Sequence, residues 1–287
     1  MNKASQGWIN GFLGILIFSG SLPATRLAVA SFEPIFLTAA RAAIAGLLGL
    51  ILLTTLRQKR PERVDFASLA IVALGVVVGF PLLTALALRH MTSAHSIIFI
   101  GLLPLATAIF AALRDGERPS LAFWLFACAG SACVAAFALT RSADTSGVGD
   151  FLMFVAIVAC GLGYAEGAKL SRRLGGWQVI SWALVFSLPV MIGLALVEMP
   201  SSFADVSAKA WGGLAYVSLF SMLLGFVFWY RGLAQGGIAA VGQLQLLQPF
   251  FSLLLAATLL NEPVSGLLVG VTAATACCVA GSKRFAS

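Results

Sequence analysis

The sequence predicts an all-α polytopic membrane protein: ten transmembrane helices set as two inverted five-helix repeats. Three observations carry that prediction. The 287-residue chain is 60% hydrophobic and only 10% charged, with a mean hydropathy of +0.99, whereas soluble domains carry about a quarter charged residues. Its apolar runs divide at charged or Gly/Pro-rich breaks into about ten pieces of membrane-spanning length. A proline–glutamate spacing of thirteen residues occurs twice, at Pro104/Glu117 and at Pro249/Glu262, 145 residues apart.

In chain order the spans fall near 8–30, 34–56, 66–88, 91–113 and 119–139, then 148–171, 176–197, 209–234, 237–260 and 263–281. The third contains ASLAIVALGVVVGF (67–80), apolar on every face. That excludes a β-barrel, whose strands alternate apolar and polar residues. The first 20 residues also have the lysine, apolar core and small residues of a signal peptide. The ten-span count requires that this segment stay. Little chain remains for a soluble domain.

The charge of +7 is unevenly placed. With the N-terminus inside, every lysine and arginine faces the cytoplasm except Arg26, Arg41, Arg89, Arg141 and Lys209. This is the asymmetry of the positive-inside rule. Basic charge therefore orients the chain, and no nucleic-acid partner is implied. The charge knot in FAALRDGERPS (110–120) is read as a cytoplasmic loop between spans four and five. The five cysteines all fall inside spans without metal-ligand spacing. They read as packing residues, and no cofactor or metal is expected.

The repeat sets GLLPLATAIFAALRDGERPS (101–120) against LLQPFFSLLLAATLLNEPVS (246–265) without a gap. Nearer the N-terminus an offset of 143 pairs Arg26 of SLPATRLA with Lys169 of GYAEGAKLS. The halves are residues 1–143 and 144–287. Five spans per half is an odd number, so the second half enters the bilayer inverted. The loop after span two, RQKRPERVD (57–65), is basic, and its counterpart EMPSSFADVSAK (198–209) is mostly acidic. Inverted repeats about an in-plane axis are a recurrent transporter architecture, in which a midplane site faces each side in turn.

These features resemble the EamA family of the drug/metabolite transporter superfamily. The resemblance rests on the two five-helix halves, the proline followed by Glu in ERPS and NEPVS, and the arginine of LTAARAAIAGLL (37–48). It covers nearly the whole chain, and within the family the chain looks most like bacterial aromatic amino-acid exporters. That resemblance implies a central cavity and a secondary transporter of the bacterial inner (cytoplasmic) membrane. It further implies alternating access and export of neutral, aromatic amino acids or related metabolites. Efflux of cationic or drug-like amphiphiles is the alternative, and a channel or integral membrane enzyme a more distant one. No HExxH or paired carboxylates support an enzyme.

The small-molecule site is expected among Phe80, His95, Phe99, Tyr164, Trp182, Trp229, Gln245 and Gln248. Gln245, Gln248 and Ser252 share one helical face, with Gln243 pointing elsewhere. Intramembrane amides also join helices by hydrogen bonds, which is the competing reading. Pro104 and Pro249 are hinge candidates, each freeing the carbonyl four residues earlier, at Ile100 and Gln245. Glu166 is the proton-coupling candidate; Lys169, three residues on, is within pairing reach. Arg26 and Arg41 lie within snorkelling reach of the outer face. GVVVG (75–79) and GLLVG (266–270) are sites for close helix contact and for a homodimer interface.

Overall fold

The computed structural model describes residues 2–87, 90, 99–139, 147–260 and 266–286. His95, Arg89, Arg141, Glu262 and Ser265 lie outside the described residues, as does the side chain of Arg26. Among the described residues the chain is helical throughout, without strands. Six runs are long and apolar enough to cross a membrane. They are α1 (Lys3–Val29), α2 (Pro34–Thr55), α3 (Asp65–Ala87), α6 (Gly147–Leu174), α7 (Gly176–Val197) and α8 (Ala208–Gly236). Between and after them come α4 (Leu103–Phe110, running on through Ala111–Asp115) and α5 (Leu121–Leu139). The chain closes with α9 (Ile238–Gly242, Gln243–Leu247 and Gln248–Leu260) and α10 (Gly266–Arg284).

Helix starts follow ordinary capping chemistry. Glu33 accepts a hydrogen bond from Ile35 N at 2.7 Å, with Pro34 in the first turn of α2. Ser207 caps α8 through Ala210 N at 3.2 Å. Both satisfy amides that a helix cannot pair internally. Gly237, at φ +91°, turns α8 directly into α9.

Packing follows small residues. α1 lies along α8 so closely that a Cβ on Gly7 would sit 2.3 Å from Gly236 N, and one on Gly232 2.5 Å from Gly11 N. Only glycine allows that approach, and dispersion between touching backbones replaces the hydrophobic effect that lipid abolishes. The GVVVG stretch does the same for α3 and α6: Gly75 abuts the Ala159 carbonyl. GLLVG behaves differently. Gly266 and Gly270 face open space and line a groove of about 530 Å³ between α5 and α10.

The contacts are repeated at a shift of five helices. α1 packs along α8 and α6 along α3; α4 packs on α6 and α9 on α1; α2 pairs with α7, and α5 with α10. α3 and α8 also share a wide π-helical middle, over Ala73–Gly79 and Val217–Leu224. One departure matters below. α6 packs against the last stretch of α8, Gly225–Gly236, while α1 and α3 make at most marginal contact.

Both chain ends lie on one face. Lys283 Nζ sits 4.5 Å from the centre of the Trp8 ring, and Ser120 Oγ donates to the Phe285 carbonyl at 2.7 Å. The α2–α3, α4–α5, α6–α7 and α8–α9 connections gather there. On the opposite face the α1–α2 turn meets the α7–α8 loop.

Candidate functional site

Two broken helices frame the interior. α4 begins afresh at Leu103, with Pro104 in its first turn. In α9 a 3₁₀ stretch, Gln243–Leu247, precedes the segment that contains Pro249. The prolines thus open new helical segments rather than bend continuous ones, a placement that needs no amide donor from them. Discontinuous helices in corresponding positions of two halves point to binding sites in transporters. The two breaks touch: Gln243 Nε2 lies 3.5 Å from the Pro104 carbonyl. Gln243 is fully buried and takes a different partner from Gln245.

Three of the expected site residues come together beside these breaks. Gln245 Nε2 donates to Tyr164 Oη at 3.2 Å. The rings of Tyr164 and Trp229 stand edge to face at 5.7 Å, and Phe18 and Phe226 complete the box. Trp229 Nε1 and Gln245 Oε1 are buried without any hydrogen-bond partner. Unpaired buried polar atoms are costly in protein interiors. The box is closed, for Trp229 retains no exposed surface. Phe80, Phe99 and Trp182 are half-buried against the same apolar core, and Gln248 is half-buried one turn beyond Gln245. The structure places these four around the interior without joining them to the box.

Beneath the box, on the face of the chain ends, the charged stretch around residue 115 becomes a fastening. Arg114 Nε donates to Glu166 Oε1 at 2.5 Å, and Ser68 Oγ to Glu166 Oε2 at 2.9 Å. Glu166 is 1% exposed. The spacing that suggested a Glu166–Lys169 pair is overruled: Lys169 Nζ reaches the Arg114 carbonyl instead, at 3.0 Å. The local helix neighbour loses because α4 brings a guanidinium directly onto the carboxylate. Arg172 bonds Asp115 at 2.6 Å, and Arg173 pairs with buried Asp65. The carboxylate of Glu117 accepts the amides of Ile238 and Ala239 at 2.7 and 2.8 Å, capping α9. Each of these pairs and bonds joins a residue before position 143 to one after it. Sequence reasoning missed this. The signal was the crowding of opposite charges in a chain that has few.

The family model described as "EamA-like transporter family" matches this chain twice, over residues 5–139 and 147–282. The chain belongs to the EamA-like transporter family. It is a multi-pass membrane transporter and not an enzyme. It is 65% identical, over all of both chains, to Uncharacterized transporter YdeK of Bacillus subtilis (strain 168). It is also 24% identical to the Probable terminal-alkyne amino-acid exporter of Streptantibioticus cattleyicolor, with 87% of this chain and 84% of that protein covered. A solved crystal structure superposes with a TM-score of 0.82 at 19% identity, covering 96% of this chain and 97% of the other. That likeness speaks for the fold. For the EamA-like chain, the broken helices, closed aromatic box and inter-half fastening form one candidate transport path.

Proposed function

We propose that this EamA-like protein exports neutral, aromatic amino acids or closely related metabolites across a bacterial inner membrane by alternating access. Ten helices form the path, as two inverted five-helix repeats with both chain ends in the cytoplasm. The reading is carried by one observation: Tyr164, Trp229 and Gln245 of the second half converge, with Phe18 of the first half against Trp229, and leave an indole N–H and an amide oxygen unpaired. Such a box matches a flat apolar side chain flanked by hydrogen-bonding groups. The double family match, the packing repeated at a five-helix shift and the paired π-helical segments favour the duplication. The name of the Streptantibioticus relative, an amino-acid exporter, supports an amino-acid cargo.

In this reading the structure is the state closed toward the cytoplasm. The α6–α8 contact and the charged fastening shut that face, while the matching α1–α3 contact is loose on the other. Glu166 belongs to the fastening rather than to a proton relay. Cargo enters when the fastening parts and leaves outward when it reforms.

Proteoliposomes loaded with labelled phenylalanine test the proposal. Protein-dependent, saturable release that external phenylalanine accelerates is expected, with Trp229→Ala slowing it while expression stays normal. Absence of any protein-dependent release sinks the cargo assignment. Tags reporting the two chain ends on opposite sides of the membrane sink the inverted-repeat arrangement.

A further inference from the structure

α2 carries an arginine where a membrane helix least tolerates one. Its lipid-facing stripe is Ile44, Leu47 and Ile51, at 37%, 47% and 54% exposure. Arg41 lies on another stripe, one turn from Leu37 and one turn from Ala45, which are 3% and 0% exposed. Arg41 is itself half-buried, also one turn from Ile44, at the border between the two stripes, and its Nε is turned inward. Its Nε is shut away from outside and has no hydrogen-bond acceptor. Seven residues from Pro34, it sits about 10 Å inside the helix's outer end. Arg114, Arg172 and Arg173 all have carboxylates, but those lie on the face of the chain ends. The described residues give Arg41 none.

An unpaired cation in this setting is expensive, and such residues in membrane spans are functional by default. The surroundings show what is wanted. α2 packs on the outer segment of α3, Phe80–Ala87, and on the π-helical stretch of α8. On that α3 segment the Thr84 hydroxyl is likewise buried without a partner. An unpaired hydroxyl thus stands on a helix packed directly against the one that carries the fixed positive charge, and no acid among the described residues pairs with that charge. A guanidinium fork fits a carboxylate edge-on through two parallel N–H···O bonds. A phosphate ester brings about two negative charges at neutral pH, and a lone cation leaves one of them unpaired.

We propose that Arg41 receives the carboxylate of the cargo during transport. The assignment deepens the export reading and rests on it for the nature of the cargo, but its geometry stands apart from the aromatic box. It makes an uncommon prediction about stability. A structural arginine, once replaced, weakens a protein; a receptor arginine, waiting without its anion, burdens the empty one.

The test uses purified full-length protein in detergent, followed by thermal unfolding. Arg41→Met is expected to unfold at the wild-type temperature or higher when no probe is present. Phenylalanine is expected to raise the wild-type midpoint by several degrees, phenylalaninamide to do nothing, and Arg41→Met to ignore both. Arg41→Lys keeps the charge without the fork and is expected to respond weakly. Benzoate, pyruvate and succinate complete the panel. If phenylalanine fails while one of these stabilises wild type and not Arg41→Met, the aromatic amino-acid reading falls and the carboxylate receptor stands. Three outcomes overturn the receptor: Arg41→Met unfolding well below wild type, the amide working as well as the acid, or no carboxylate in the panel shifting wild type.

Discussion

The two ends of the bundle are closed in different chemical languages. On the face of the chain ends, charges do the work: Arg114–Glu166, Arg172–Asp115 and Arg173–Asp65 join the halves, with Glu117 capping α9. On the opposite face the halves meet through rings. Phe32 stands edge to face with Trp211 at 5.1 Å, and Phe36 approaches Phe203 at 6.2 Å, over a buried apolar patch that includes Leu214 and Val217. Ion pairs that lose their partners can be rehydrated by water entering from the adjoining aqueous phase. Apolar surfaces parted there gain no such compensation. In the export reading, the ionic end parts to admit cargo while the aromatic end holds.

The largest effect is expected at the aromatic end. Phe32 is 2% exposed, and Phe32→Ala is expected to cost about 3–5 kcal/mol, the range for emptying a buried phenylalanine site. Thermal unfolding in detergent at low and high salt measures it. The loss is expected to be the same at both, because no charge is involved. A loss that changes with salt would place Phe32 in an electrostatic network and erase the contrast between the ends.

Arg114→Ala comes next. It leaves the carboxylate of Glu166 buried with only Ser68 to answer it. Breaking a buried pair costs about 3–5 kcal/mol, but Arg114 is 48% exposed, so screening lowers the expectation to about 2–3 kcal/mol. The double variant Arg114→Ala/Glu166→Gln is expected to regain most of it, since no charge is then stranded. The variant also reports on opening. Cys160 lies one turn before Tyr164 and is 1% exposed. With the other four cysteines changed to serine, a permeant maleimide is expected to label it at least tenfold faster in Arg114→Ala. A tenfold change corresponds to about 1.4 kcal/mol in the open population. Unchanged labelling would mean that the pair stabilises the protein without holding the face of the chain ends shut.

How much of this was readable beforehand depended on distance along the chain. The membrane class and its helices were legible because long apolar runs admit few other structures. The convergence of Tyr164, Trp229 and Gln245 was legible in outline, since polar tips in apolar spans are rare. Pairing was not. Glu166 and Lys169 are neighbours on one helix, and spacing favours them. The real partner stands 52 residues earlier and arrives only when α4 packs on α6. The setting of Arg41 was left open for a related reason. A helix apolar all round does not announce which stripe faces lipid, and that stripe decides whether an arginine escapes outward or turns in. The π-helical segments of α3 and α8 left no sequence mark either, because uniformly apolar runs carry no helical period to be disturbed.

Glu117 separates the contrast more finely. Its carboxylate holds the first amides of α9, where a helix N-terminus attracts negative charge. Glu117→Gln keeps an acceptor oxygen but removes the charge, at an expected cost of about 1 kcal/mol. Cys160 labelling is expected to rise only a few-fold, because the Arg114–Glu166 pair stays intact. A larger rise than in Arg114→Ala would move the hinge of this face from α4 and α6 to the start of α9.

The smallest expected effect uses no substitution. Raising salt from about 0.1 to 1 M shortens the screening length from about 10 to 3 Å. Arg172 is 41% exposed and Asp115 9%, so that pair is expected to weaken by a few tenths of a kcal/mol. Arg114–Glu166 and Arg173–Asp65, whose acids are buried, are expected to hardly respond. Labelling of Cys160 should therefore quicken less than threefold in wild type. In Arg114→Ala salt should act more strongly, because the more exposed Arg172–Asp115 pair then carries more of the closure. Equal salt sensitivity in the two proteins would show that the pairs act independently. The closure of this face would then be a sum of contacts rather than a single latch.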